Sequence, residues 1–160
     1  MELNSFQAEV ALRIGVAALA GGAVGIEREL RDRTAGLRTH RLVAVGACLF
    51  ALVSAFGFDD LVAGTADAST IRHDPSRVAS NIVTGVGFLG AGAILRSGLS
   101  VQGLTTAASL WVVAALGTAV ALGMYFATGV TLGITLLSLV VLRVLRGRIR
   151  QAAGIDEREG

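Results

Sequence analysis

Apolar residues run through this chain in long stretches broken by short polar segments. Each stretch approaches the ~20 residues that a helix needs to cross a bilayer. The pattern predicts five spanning helices, at about residues 8–26, 42–58, 78–95, 106–122 and 125–142. The last two come from nearly uninterrupted apolar sequence between Thr105 and Val144. As one helix that stretch would be about 60 Å long, twice what a bilayer holds, so it must fold back. Gly123-Met124-Tyr125 is the predicted turn, and Gly36 is a second break, ahead of the second span. Asp74-Pro75 is the predicted start of the third helix, with Asp as N-cap and Pro in the first helical position.

The third span is the richest in glycine. From Ala79 to Leu95 no side chain is charged, and Gly85, Gly87, Gly90 and Gly92 lie inside it. In water each would cost about 1 kcal/mol relative to Ala, whereas in lipid the helix is forced because unpaired amides have no water to turn to. The span is expected to be the packing centre of the bundle, its glycines admitting neighbouring helices; a broken helix lining a path is the alternative. Asn81 and Thr84 are expected to bond across helices. In the first span Ala17, Gly21 and Gly25 recur every four residues as a second close-contact stripe, and Arg13 stands four residues from Glu9, within pairing reach.

Composition supports a membrane protein. Of 160 residues, 53% are hydrophobic and 16% charged, against about 25% charged in soluble domains. All 14 basic residues are Arg, and the net charge of +2 gives no reason to expect nucleic acid. Lone Cys48 excludes an intramolecular disulfide and reads as a packing residue. The start lacks a basic segment and a cleavage site, so no removable leader is expected. Five spans put 11 arginines on one side and Arg72 and Arg77 on the other. The excess of positive charge in cytoplasmic loops then orients the chain, N-terminus outside and C-terminus in the cytoplasm. Residues 1–145 form one transmembrane domain, and 146–160 a short cytoplasmic tail.

That topology gathers one set of polar residues. Glu27 and Arg28 at the end of the first span, Arg38, Thr39 and His40 at the start of the second, and Thr105, Thr106 and Ser109 at the start of the fourth form a candidate cytoplasmic cluster. A carboxylate at the edge of hydrocarbon needs a partner, so Glu27 is either a cation or partner site or a structural ion pair with Arg28, Arg38 or Arg41. His40 has no second ligand near it, because His73 falls on the far side, and the metal, if any, is unknown. The outer aspartates 59, 60, 67 and 74 read as a solvated loop. No nucleophile–base pair stands out; no enzyme activity and no cofactor is expected.

Four motifs in order carry a resemblance: Gly25-Ile-Glu-Arg-Glu29; Ala35-Gly-Leu-Arg-Thr-His-Arg-Leu-Val43; Asp74-Pro-Ser-Arg-Val78 running into Ile82-Val-Thr-Gly-Val-Gly-Phe-Leu-Gly-Ala-Gly92; and Val101-Gln-Gly-Leu-Thr-Thr-Ala-Ala-Ser-Leu-Trp111. Over about residues 8–145 the chain resembles the MgtC/SapB family of bacterial inner-membrane proteins. The resemblance implies a multi-pass, five-helix domain linked to magnesium limitation and, in pathogens, to survival inside host cells. Longer members add an ACT-like C-terminal domain, which this chain is expected to lack. It further implies support of magnesium homeostasis by modulation of other inner-membrane proteins, such as the ATP synthase. Transport of Mg²⁺ or another ion is the alternative, and a scaffold a third reading. The bilayer and further copies of the chain are the other expected partners.

Overall fold

The computed structural model describes residues 2–57 and 76–152. The aspartate-rich loop, His73 and the Asp74-Pro75 helix start lie outside the described residues. Among the described residues five helices follow in order: α1 (Glu2–Glu29), α2 (Leu37–Phe56), α3 (Ser76–Ala93), α4 (Leu104–Ala121) and α5 (Tyr125–Ala152). A two-stranded hairpin, β1 (Leu95–Ser97) and β2 (Ser100–Gln102), joins α3 to α4. Residues 4–29, 37–56 and 104–121 are long and apolar enough to cross a membrane; α5 contributes a shorter apolar helix, Tyr125–Val141. The outer surface is apolar too, with Phe88 82% and Phe126 87% exposed, which suits a lipid surround and not water.

The centre of the bundle is the contact of α1, α2 and α4, not α3. Small residues allow it. A Cβ at Gly21 would lie 2.6 Å from the Ala44 Cβ, and one at Gly25 would lie 2.7 Å from the Leu37 Cα. Gly117 on α4 is closer still, since its Cβ would stand 2.1 Å from the Ala44 carbonyl oxygen. Around these contacts Ala17, Val24, Cys48, Val113, Leu116 and Val120 are buried. Cys48 is thus a packing residue. In a bilayer such packing, with no hydrophobic drive between helices, supplies the contact energy.

The expectation for α3 is corrected on this point. Gly85, Gly87 and Gly92 have nothing within 4 Å of an added Cβ; only Gly90 meets a neighbour, Ala107 on α4. Thr84 donates to the carbonyl of Ser80 on its own helix (3.1 Å), and Asn81 is exposed. Most of the glycine surface therefore faces away from the chain's own core.

Local chemistry sets the breaks. The segment between α3 and α4 is a hairpin, with Leu95 opposite Gln102 and Ser97 opposite Ser100. Its two-residue loop opens on Gly98 at positive φ, as tight hairpins require. Gly103 follows at φ 85°, where a Cβ would strike the Ala93 carbonyl at 1.9 Å, so only glycine fits the return into α4. The turn at Gly123 lies where the apolar run predicts it, and α5 starts at Tyr125. At the same end of the bundle the Arg13 guanidinium hydrogen-bonds Glu9 and the Ala121 carbonyl, 5.8 Å from the centre of the Phe56 ring.

A candidate polar site at the junction of three helices

Successive helical residues point about 100° apart, and the last turn of α1 uses this to send three charged side chains three ways. Glu27 pairs along the helix with Arg31, Oε1 accepting from Nε at 3.0 Å. Arg28 turns inward and is 5% exposed; its Nη2 donates to Thr106 Oγ1 on α4 at 2.9 Å. Glu29 accepts the backbone N–H of Leu37 at 2.6 Å, placing negative charge on the first turn of α2, where free amides and the helix dipole favour it.

From Arg28 a buried network continues into α4 and α2. Ser109 Oγ lies 2.9 Å from the Thr106 carbonyl and 2.9 Å from His40 Nε2, two acceptors that share its one hydrogen, while His40 Nδ1 lies 2.8 Å from the Gly36 carbonyl. A carbonyl only accepts, so Nδ1 carries the proton. His40 is fully buried, and Thr106 and Ser109 are nearly so. A polar network at this depth is stable only when its members satisfy one another, which ties the α1–α2 turn to the start of α4.

Beside the network opens a cavity of about 900 Å³. Its walls are Glu27 and Arg28 of α1, the 31–34 turn, the strand-to-helix segment 101–106, and Ser138 and Leu139 of α5. Two of these wall residues carry a buried polar atom with no hydrogen-bond partner: Glu27 Oε2 and Arg28 Nε. Gly103, the N-cap of α4, gives that helix no side-chain cap. Among the described residues no three His, Cys, Asp or Glu side chains gather as a metal set.

Of the eight residues expected to cluster, Arg28, His40, Thr106 and Ser109 are joined by hydrogen bonds, and Glu27 and Thr105 line the adjoining cavity. Arg38 and Thr39 are exposed and stand apart, because only His40 of that turn faces the core. The partner of Glu27 is Arg31, not Arg28, Arg38 or Arg41. The four-residue spacing of Glu27 and Arg31 carries that signal in the sequence. Arg33, Glu29 and Gly117 have no comparable signal. Asn81 and Gly85 line a separate apolar groove of about 510 Å³ between α2 and α3, with Leu42, Phe50 and Leu89.

The MgtC family model matches residues 14–148. YhiD of Escherichia coli K12, named provisionally as a magnesium transporter, is 46% identical over 139 residues, 86% of this chain and 60% of that protein. An uncharacterised protein of Synechocystis is 45% identical over 119 residues, 73% of this chain and 45% of its own length. The protein MgtC of Salmonella typhimurium is 41% identical over 140 residues, 88% of this chain and 55% of its own. The chain thus spans roughly half of the length of the curated relatives it matches. No solved structure matches it.

Proposed function

Because the chain belongs to the MgtC family, we propose that it is a non-enzymatic inner-membrane protein of bacteria that supports magnesium homeostasis and growth at low magnesium by modulating other membrane proteins. In this reading all five helices cross the bilayer, with the N-terminus outside and the arginine-rich end in the cytoplasm. The working site is the polar junction at Glu27, Arg28, His40, Thr106 and Ser109, exposed to the cytoplasm through the cavity. The observation that carries the reading is the buried Arg28–Thr106 contact beside the unpaired Glu27 Oε2, at one end of an otherwise apolar bundle. Buried ionisable groups are costly and mark functional sites in membrane proteins. The exposed glycines of α3 and the apolar groove beside them supply a face for a second copy or for another membrane protein, such as the ATP synthase.

Ion transport is the second reading, and the unpaired Glu27 oxygen in a cavity favours it. Mg²⁺ flux into proteoliposomes that contain only this protein separates the two. The modulator reading predicts no flux above empty liposomes from folded protein. Saturable flux that is lost in Glu27→Gln contradicts it and makes the protein a transporter.

A further inference from the structure

We propose that the cavity at the start of α4 binds a phosphate group that retains a proton, as free hydrogen phosphate or as a phosphomonoester lipid headgroup. The inference rests on the reading of this cavity as the working site and adds its ligand class.

The wall of the cavity is built for an oxyanion. Arg28, Arg31 and Arg33 line it against Glu27 and Asp32. The Arg28 guanidinium is buried and spends one nitrogen on Thr106, while its Nε is buried without a partner. Next to it lies the N-terminus of α4, an 18-residue helix without a side-chain cap. The N–H groups of its first turn have no acceptor within the helix, and its dipole is positive at this end. Amides at a helix start and an adjacent guanidinium together make an anion site. Three arginines on one cavity also disfavour a bare metal cation.

Those features alone would take any oxyanion. Glu27 makes the choice. Its side chain is nine-tenths buried (10% exposed), its Oε1 is held by Arg31, and Oε2 has no partner. A carboxylate only accepts hydrogen bonds and repels a fully ionised anion. Near neutral pH hydrogen phosphate keeps a P–O–H group, which can donate to Oε2 while its other oxygens accept from Arg28 and the α4 amides. Sulfate holds no such proton, so it would face the carboxylate with acceptors only. The site therefore selects by the ligand's proton. Leu95, Leu104 and Leu139 give one wall an apolar surface, along which the acyl-linked end of a lipid phosphomonoester could lie.

The test uses the full chain purified in detergent and titrated calorimetrically near pH 7 with sodium phosphate, then with sodium sulfate at matched ionic strength. Phosphate should bind saturably and sulfate at least about tenfold more weakly, the scale of one charge-assisted hydrogen bond. Glu27→Gln offers an amide donor in the same shape, so it should bring the two anions to within about threefold. Arg33→Gln should weaken both. A second arm places the protein in nanodiscs carrying phosphatidic acid or phosphatidylglycerol and measures thermal stabilisation. This arm is run near pH 5.5, below the second pKa of a phosphomonoester (about 6), where phosphatidic acid has a proton to give and phosphatidylglycerol does not. Saturable phosphate binding identifies the free anion as ligand. Stabilisation by phosphatidic acid alone, lost in Glu27→Gln, identifies the headgroup. Equal response to phosphate and sulfate together with equal response to the two lipids, or no response at all, overturns the proposal. A wild-type protein that selects phosphate yet gives no growth support at low magnesium would sink the proposed function and leave this inference standing.

Discussion

Arg28 and Thr106 are 78 residues apart in the chain and are joined by a buried hydrogen bond of 2.9 Å that locks the end of α1 to the first turn of α4. The guanidinium cannot shed its charge, and its Nε already lacks a partner. Removing the hydroxyl would leave a second nitrogen stranded. Thr106→Val, similar in shape, should therefore destabilise the protein by about 1.5–3 kcal/mol, the range for a hydrogen bond to a charged group. Thr106→Ser keeps the acceptor and should cost about 1 kcal/mol or less. Thermal unfolding of the two variants in detergent, side by side, checks the difference.

Glycine at 117 is predicted to be irreplaceable, and glycine at 85 dispensable for the fold of the single chain. An alanine Cβ at 117 would stand 2.1 Å from a backbone oxygen of α2, which no rotamer change relieves. Gly117→Ala should push α2 from α4 and cost at least ~1–3 kcal/mol, as overpacking does. Gly85→Ala meets nothing within 4 Å and should change monomer stability by less than about 0.5 kcal/mol. If α3 is an association face, Gly85→Ala should instead shift the oligomeric state, read by light scattering of the detergent complex.

The Glu29 carboxylate holds the backbone N–H that opens α2. Glu29→Ala loses both the acceptor and the charge at that helix start, and should lower stability by about 1 kcal/mol. Glu29→Gln keeps an acceptor and should lose less. The charge-dependent share of the loss should shrink as salt is raised, because this contact is exposed.

How much of this was legible in the sequence depends on what kind of signal each feature leaves. Helices announce themselves through the length of their apolar runs, and the breaks at Gly36 and Gly123 follow from glycine chemistry. The meeting of Arg28, His40, Thr106 and Ser109 follows from placing helix ends on a common side of the bundle. Rotation about a helix axis is what the pattern leaves open. In a helix that is apolar all round, nothing in composition says that Gly117 faces Ala44, or that Gly90 faces inward while Gly85, Gly87 and Gly92 face out. The same blindness places exposed Arg38 and Thr39 in a cluster that only His40 enters. Strands of three residues, such as β1 and β2, are too short for alternation to register.

The central claim is that the junction at Glu27 does the protein's work. The most direct measurement is growth at limiting magnesium of a bacterial strain that depends on this chain, with wild type and Glu27→Gln expressed to the same membrane level. Glu27 is paired through only one oxygen and borders a cavity, so the amide variant should remain folded and present in the membrane. The account predicts that growth support is lost while membrane level stays unchanged. Full growth support from Glu27→Gln would contradict it, and loss of the protein itself would reduce Glu27 to a structural ion pair with Arg31.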